Sequence, residues 1–483
     1  MDAKLGQNER VTTALTNLHR IVIIGGGPGG YEAARAGRQL GAEVVLIEDA
    51  GIGGNALLTD VVPSKTLIAT AEAAQRVSIA QTLGVNFSVD GKQVQPKVDI
   101  DLKAVNKRLL ALAKSQSEDM LTTLKKEGVR VISGRGRLDG NHHVVVEPTV
   151  GGESERIEAK TIIVAVGAHP REVPGSKPDG ERILTWKQLY NLDELPEHMI
   201  VVGSGVTGAE FASAYLQLGS KVTLISSRDK VLPGSDDDAA DLLEDVFKRR
   251  GMQILNKARA SKVENTGNGV KVTLENGQEV LGSHCLMAVG AIPNTEGLGL
   301  EEAGIKLTDS GHVIVNKVAR TSRANVYAVG DCSTALPLAS VSAMQGRTAV
   351  YHTMGDVAAP TRLRNVASNV FTSPEIASVG WSQAEIEQGL VRGEIEKVML
   401  EGNPRAKMQG IREGFIKLFA SIGSGTVIGG VVVAPRASDL IYPIAVAIEN
   451  RLTVDDLART YTVYPSLSGS ISEAASALHQ PID

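Results

Sequence analysis

Cysteine is nearly absent: Cys285 and Cys332 are the only two in 483 residues. Two thiols cannot build a disulfide framework or a cysteine-rich zinc site, so no metal is expected. Such thiol poverty fits a reducing compartment, and a cytosolic location is expected. Aromatic residues are equally scarce, with Phe 6, Trp 2 and Tyr 8, which excludes stacking platforms for single-stranded nucleic acid. Charge of one sign is missing too. Lys plus Arg number 50 against 55 Asp plus Glu, a net charge of −5, and no basic block points to nucleic acid. No apolar run is long enough for a membrane-spanning helix. The longest, Val427 to Val433, is strand-length and is soon followed by Arg436. The first residues include Asp2, Asn8, Glu9 and Asn17 without an apolar core, so no signal peptide is expected there. Residues 1–19 are expected to be a loosely attached tail.

What is present is glycine, 51 residues of it, against an ordinary background of 42% apolar and 22% charged residues. The length suggests about three domains. Ile21 to Ile24 is a short apolar run that enters Gly25-Gly26-Gly27-Pro28-Gly29-Gly30. An alanine-rich helix, Tyr31 to Leu40, is stopped by Gly41, and a second apolar run, Val44 to Ile47, ends in Glu48. Strand, glycine turn, helix, strand and acid in this order form a dinucleotide-binding unit. Gly25 and Gly27 allow the tight turn and the close approach of backbone to a pyrophosphate. Gly30 lets helix and strand pack closely, and the helix N-terminus offers free N–H groups. Glu48 is placed to accept from a ribose hydroxyl pair.

The arrangement recurs. Met199 to Val202 leads into Gly203-Ser204-Gly205-Val206-Thr207-Gly208, a helix from Ala209 to Leu218, then Gly219 and the strand Val222 to Ile225. Gly203, Gly205 and Gly208 repeat the roles of Gly25, Gly27 and Gly30. Two such units imply two dinucleotides, one usually a resident flavin and the other an exchanging nicotinamide. Glu48 lies 18 residues after Gly30, and the residue 18 after Gly208 is Ser226. Where the first unit has a carboxylate, the second has Ser226-Ser227-Arg228. Hydroxyls and a guanidinium accommodate a 2′-phosphate that a carboxylate would repel. NADPH is therefore expected at the second site, alongside NADH.

Between the units the spacing predicts a helix from about Asp101 to Glu127, with Val105, Leu109, Leu112, Met120 and Leu124 on its apolar face. Thr161 to Val164 runs into Gly167, and His284 to Met287 runs into Gly290, as paired punctuation between the units. Asn325 to Val329 delivers Gly330-Asp331, a common way to aim a carboxylate at a sugar-like chain. Beyond Ala359 glycine fingerprints vanish. The strand-like runs Phe415 to Phe419 and Val427 to Val433 and a helix, Asp439 to Glu449, read as an α+β domain without a catalytic motif.

With these residues in place the chain resembles the pyridine nucleotide–disulfide oxidoreductases, most closely the lipoamide dehydrogenase branch, from about Arg20 to Ala475. The two fingerprints, Val329-Gly330-Asp331, Pro63-Ser64-Lys65 and Phe371-Thr372-Ser373-Pro374-Glu375-Ile376-Ala377 carry the resemblance together. It implies an α/β fold with two Rossmann-like domains and a C-terminal α+β dimerisation domain. FAD is expected on residues 20–167 and 296–358, with Glu48 on the adenosine ribose and Asp331 on the ribityl chain. NAD(P) is expected on 168–295, and a homodimer interface on 359–483. Gly167, Ala339 and Gly290 complete the candidate cofactor contacts. Lys65 and Glu210 match an ion pair that lies close to the reactive face of the flavin in that family.

The departures are specific. Family disulfide reductases carry two cysteines just before Pro-Ser-Lys, at the positions held here by Ala56 and Val61. Neither side chain can form the thiolate that attacks a disulfide. The family's C-terminal histidine and glutamate are replaced by Tyr464 and Gly469, and a phenol with a reference pKa of about 10 is a poor proton shuttle. Cys285 and Cys332 read as small buried residues, not substitutes. Electrons must then pass directly from flavin to acceptor. The apolar surface left by Ala56 and Val61 suits a flat quinone, with Tyr464 capping it or simply packing. The expected activity is FAD-dependent NAD(P)H:quinone reduction. A soluble transhydrogenase and a non-catalytic, nucleotide-binding flavoprotein are the alternatives.

Overall fold

The computed structural model describes residues 19–479; the expected N-terminal tail, His19 apart, lies outside them. The chain divides into two compact units. The first takes in the chain up to Pro63 with Leu109–Arg171 and Ala291–Leu363. Its sheet has seven strands, in the spatial order Val326–Ala328, Thr161–Val164, Arg20–Ile24, Glu43–Glu48, Arg130–Leu138, His143–Pro148 and Glu155–Glu158. The first five pair in parallel and the last two join antiparallel. The parallel strands are buried on both faces, so Ile21 to Ile24 and Val44 to Ile47 are continuous apolar runs, not alternating ones. One face packs on the helices Pro28–Gln39 and Ala339–Met354, around Ile21, Ile23, Leu46 and Tyr327.

The second unit comprises Ser64–Arg108, Glu172–Gly290 and Arg364–Asp483. It holds a five-stranded parallel sheet, ordered Ile183–Leu184, His284–Met287, His198–Val202, Lys221–Ile225 and Gln253–Leu255. A three-stranded antiparallel sheet, Ala260–Asn265, Val270–Leu274 and Glu279–Gly282, shares its core through Val263, Val272 and Cys285. A further antiparallel sheet runs Ser368–Val370, Glu375–Gly380, Val427–Ala434, Phe415–Ser421 and Gly393–Met399. The helices Tyr442–Glu449 and Gly469–Ala477 pack against it.

The expected α/β class with an antiparallel C-terminal part is what the structure has. Three expectations need correction. Both fingerprint helices begin earlier, at Pro28 and Val206, because the last residues of each glycine turn form the first helical turn. The helix expected at Asp439 to Glu449 is two, Ala437–Leu440 and Tyr442–Glu449. Pro443 has no N–H to donate back to the preceding turn and starts a new helix instead. In the long helix Leu102–Lys126, Leu112 is 40% exposed, whereas Leu102, Asn106, Leu109 and Ala113 are buried. Those four follow helical spacing, and Leu112 stands roughly 80° away from Leu102 at 100° per residue.

Candidate functional site

The first glycine turn is built from backbone contacts that exclude side chains. Gly25 has φ +104°, and a Cβ there would lie 2.3 Å from the carbonyl oxygen of Ala165. A Cβ on Gly30 would lie 1.9 Å from the oxygen of Gly25. A Cβ on Gly27 would meet nothing within 4 Å, so this residue faces open space. Gly27 also N-caps the helix Pro28–Gln39 without a side-chain cap, and no acid occupies its first turn. The helix end thus keeps free donors and an uncompensated positive dipole. Glu48 closes the turn: its Oε2 accepts from Gly26 N–H at 2.6 Å and its Oε1 from Ala50 N–H at 2.8 Å.

Asp331 lies in a single turn, Gly330–Cys332, directly after the strand Val326–Ala328. Gly330 N–H donates to Gln345 Oε1 at 2.9 Å, which ties this turn to the helix Ala339–Met354. Ala339 opens that helix, half-buried and again with no side-chain cap. Burial raises the Asp331 pKa, while His312 opposes the shift. Among the described residues its carboxylate accepts no hydrogen bond, as suits a group waiting for hydroxyl donors. Gly167, in the left-handed region at φ +65°, accepts from Asn294 N–H through its carbonyl. An open glycine cradle, an uncapped helix end and two carboxylates in this unit fit a dinucleotide with a polyol chain.

In the second unit Gly203 has φ +110° and a Cβ there would lie 2.2 Å from Ala288 O, while Gly208 would meet Gly203 O at 1.9 Å. Gly205 faces open space and caps the helix Val206–Leu218 without a side-chain bond. Gly290 is exposed in the left-handed region just after the strand His284–Met287. Ser226 does not face outward as the sequence suggests. It is fully buried, with its Oγ 2.7 Å from Ser204 Oγ and accepting from Arg228 N–H at 3.1 Å. Ser227 and Arg228 are the exposed residues at that strand end.

Lys65 and Glu210 come together. Lys65 Nζ lies 2.7 Å from Glu210 Oε2 and Glu210 is 4% exposed. Sequence reasoning missed the third member of this group. Phe371 donates its N–H to Glu210 Oε1 at 2.9 Å, and its ring centroid lies 4.9 Å from Lys65 Nζ. The only signal was its place at the head of the Phe-Thr-Ser-Pro-Glu run.

Residues 19–346 match the pyridine nucleotide-disulphide oxidoreductase family, and residues 366–475 match that family's dimerisation domain. The chain belongs to this family. It is 50% identical over 474 residues to an NAD(P)H dehydrogenase (quinone) of Mycobacterium tuberculosis, covering 96% of this chain and 95% of that protein. It is 32% identical over 469 residues to a dihydrolipoyl dehydrogenase of Zymomonas mobilis, covering 95% and 97%. The crystal structure of LpdA from Mycobacterium tuberculosis superposes with a TM-score of 0.91 at 49% identity, covering 96% of this chain and all of that one. As a pyridine nucleotide-disulphide oxidoreductase, the chain falls in a family that uses FAD and NAD(P)H.

Against that family the missing thiols stand out. Ala56, in the helix Gly54–Leu58, and Val61, which opens the helix Val61–Ile79, are both half-buried. Cys285 and Cys332 are fully buried. Burial pushes the Cys285 thiol up and the Cys332 thiol up to about 11, so neither supplies a thiolate at neutral pH. Tyr464 is 82% exposed and precedes the helix Gly469–Ala477. Among the described residues no cluster could hold a metal ion, and no helix is long and apolar enough to cross a membrane.

Proposed function

We propose that this protein is an FAD-dependent NAD(P)H:quinone oxidoreductase, working as a cytosolic homodimer without a disulfide relay. The observation that carries the reading is the half-buried Ala56 and Val61 at the relay position, in a chain that keeps both glycine turns and the Lys65–Glu210 pair. Its similarity to a protein named NAD(P)H dehydrogenase (quinone) supports it. Residues 20–167 and 296–358 are assigned to FAD, 168–295 to the nicotinamide nucleotide and 359–483 to the dimer.

Bound FAD supplies a two-electron carrier between a dihydronicotinamide and a quinone. The chain's own residues do the rest. Glu48 is assigned to the adenosine ribose, Asp331 to a ribityl hydroxyl, and the uncapped ends at Gly27 and Ala339 to anionic or electron-rich groups. Gly167 and Gly290 let the backbone pass close to the cofactors. Gly203, Gly205 and Gly208 cradle the nicotinamide nucleotide's pyrophosphate, and Arg228 takes its 2′-phosphate when NADPH is used. Ser226 holds that strand end in place through Ser204. Glu210 fixes the Lys65 ammonium in one position, so its charge needs no reorganisation during transfer. Ala56 and Val61 offer a quinone ring an apolar, uncharged neighbour, and Tyr464 is assigned to cap it in the dimer.

The test is anaerobic reduction with NADPH, followed through flavin absorbance, and then addition of menadione or lipoamide. Prompt reoxidation by menadione alone is expected. Reoxidation by lipoamide at a comparable rate would overturn the argument from Ala56 and Val61. Reoxidation only by an NAD analogue would identify a transhydrogenase.

A further inference from the structure

Three cations surround the end of the strand Lys221–Ile225, and two of them are already neutralised. Lys230 Nζ lies 2.9 Å from both Asp237 and Asp241, and Lys257 Nζ lies 3.5 Å from Asp229. The exposed Arg228 makes no ion pair among the described residues. A guanidinium two residues from a clamped lysine is useful only if the loop beneath it holds still. Leu232 N–H donates to Ser204 O at 2.8 Å and Val231 N–H to Glu244 Oε2 at 3.3 Å. The loop then enters the helix Asp237–Arg249 through its N-cap, Asp236, which accepts from Ala239 N–H.

Asp236 is held from elsewhere in the sequence. Lys417, in the middle of the strand Phe415–Ser421, places its Nζ 2.9 Å from both oxygens of Asp236. The same ammonium lies 2.9 Å from Asp238 and 2.6 Å from Gln383 Oε1, so its three protons are all engaged. Lys417 is 1% exposed. Desolvation of a lysine buried this deeply offsets much of the Coulomb attraction, so well-packed apolar residues often replace such a pair without loss of stability. The best-attested use of a buried, directional pair is to fix register. The register fixed here is that of the helix turn to which Lys230 is clamped.

We propose that Lys417 is a positioning residue for nucleotide selection: through Asp236 it sets the start of the helix Asp237–Arg249, and so the loop that presents Arg228 to a 2′-phosphate. The inference deepens the assignment of Arg228 made above and rests on it. Its consequence is selective. Displacing the loop weakens the grip on the 2′-phosphate and leaves the rest of the adenosine site, built on the glycine turn, in place.

The experiment is calorimetric titration of the FAD-loaded protein with 2′,5′-ADP and with 5′-AMP, which reads binding without turnover. The unaltered protein is expected to prefer 2′,5′-ADP, and Arg228→Ala to abolish the preference. Lys417→Met is expected to weaken 2′,5′-ADP about tenfold while 5′-AMP changes less than twofold. Because Lys417→Met leaves the Asp236 carboxylate without its counter-charge, the double variant Asp236→Asn, Lys417→Met runs beside it. Asn still caps the helix and no charge is stranded, and the same selective loss is expected. Equal loss for both ligands, or none in the double variant, would overturn the role of Lys417 while leaving Arg228 intact. No preference in the unaltered protein, or none lost in Arg228→Ala, would overturn the Arg228 assignment and this inference with it.

Discussion

Glu210 accepts from Lys65 with one oxygen and from the Phe371 backbone with the other, so a single buried carboxylate organises a cation and an aromatic ring. Glu210→Gln keeps the shape and the contact to Phe371 but removes the charge that fixes Lys65. Rapid-mixing absorbance is expected to show flavin reduction by NADPH slowed about tenfold, equivalent to 1.4 kcal/mol of barrier, with FAD content unchanged. Asp331 gives a pH-dependent counterpart. Its folded pKa is raised above 3.8 by burial, so the folded chain holds the proton more tightly than the unfolded one. That contribution is fully present below 3.8 and is lost as pH rises through the folded value. At neutral pH the ionised carboxylate therefore destabilises the FAD-free protein. Asp331→Asn is expected to raise the FAD-free Tm at neutral pH, with the gain shrinking as the pH falls into the carboxylate range, and to loosen FAD. Thermal scans at several pH values check this; a gain independent of pH would count against it.

The strand–turn–helix units show how far local pattern carries. Both fingerprints, their flanking strands and the glycines that stop their helices were legible, because each is specified by residues within one short segment. Helix starts were misplaced because a glycine turn and a first helical turn are the same residues. Pro443 was overlooked as a helix breaker, and Leu112 was put on the wrong face because its neighbours' spacing only approximates the helical period. Phe371 and Lys417 were illegible for a different reason. Their partners lie 161 and 181 residues away, and nothing in a local window marks such a pair. The glycines also separate folding from binding at this scale. Gly30→Ala drives a methyl into Gly25 O and is expected to cost about 1–3 kcal/mol by overpacking. Gly27→Ala meets open space with φ −63°, so its FAD-free Tm should match the parent's, while FAD affinity falls at least tenfold, about 1.4 kcal/mol, as the methyl holds the pyrophosphate off. Thermal unfolding and fluorescence titration of FAD distinguish the two; equal Tm losses would refute the distinction.

At the scale of the molecule, the match to the family's dimerisation domain meets a row of exposed apolar residues in the C-terminal part. Tyr442 and Val446 stand one helical turn apart at 70% and 36% exposure, and Tyr461, Val463 and Tyr464 follow at 102%, 78% and 82%. Exposed apolar residues sharing a helix face, as Tyr442 and Val446 do, suit an interaction surface. The double variant Tyr442→Glu, Val446→Glu is expected to run as a monomer by light scattering and to lose quinone turnover, while FAD stays bound; a dimer of unchanged mass would refute this. Cys332 is sealed inside the first unit's core and Cys285 inside the second's, and the two relay positions carry hydrocarbon. A quinone is a Michael acceptor as well as an oxidant, and an accessible thiolate beside it would be arylated. A catalyst whose working surface carries no nucleophilic sulfur can hold such an electrophile through every cycle without being inactivated by it.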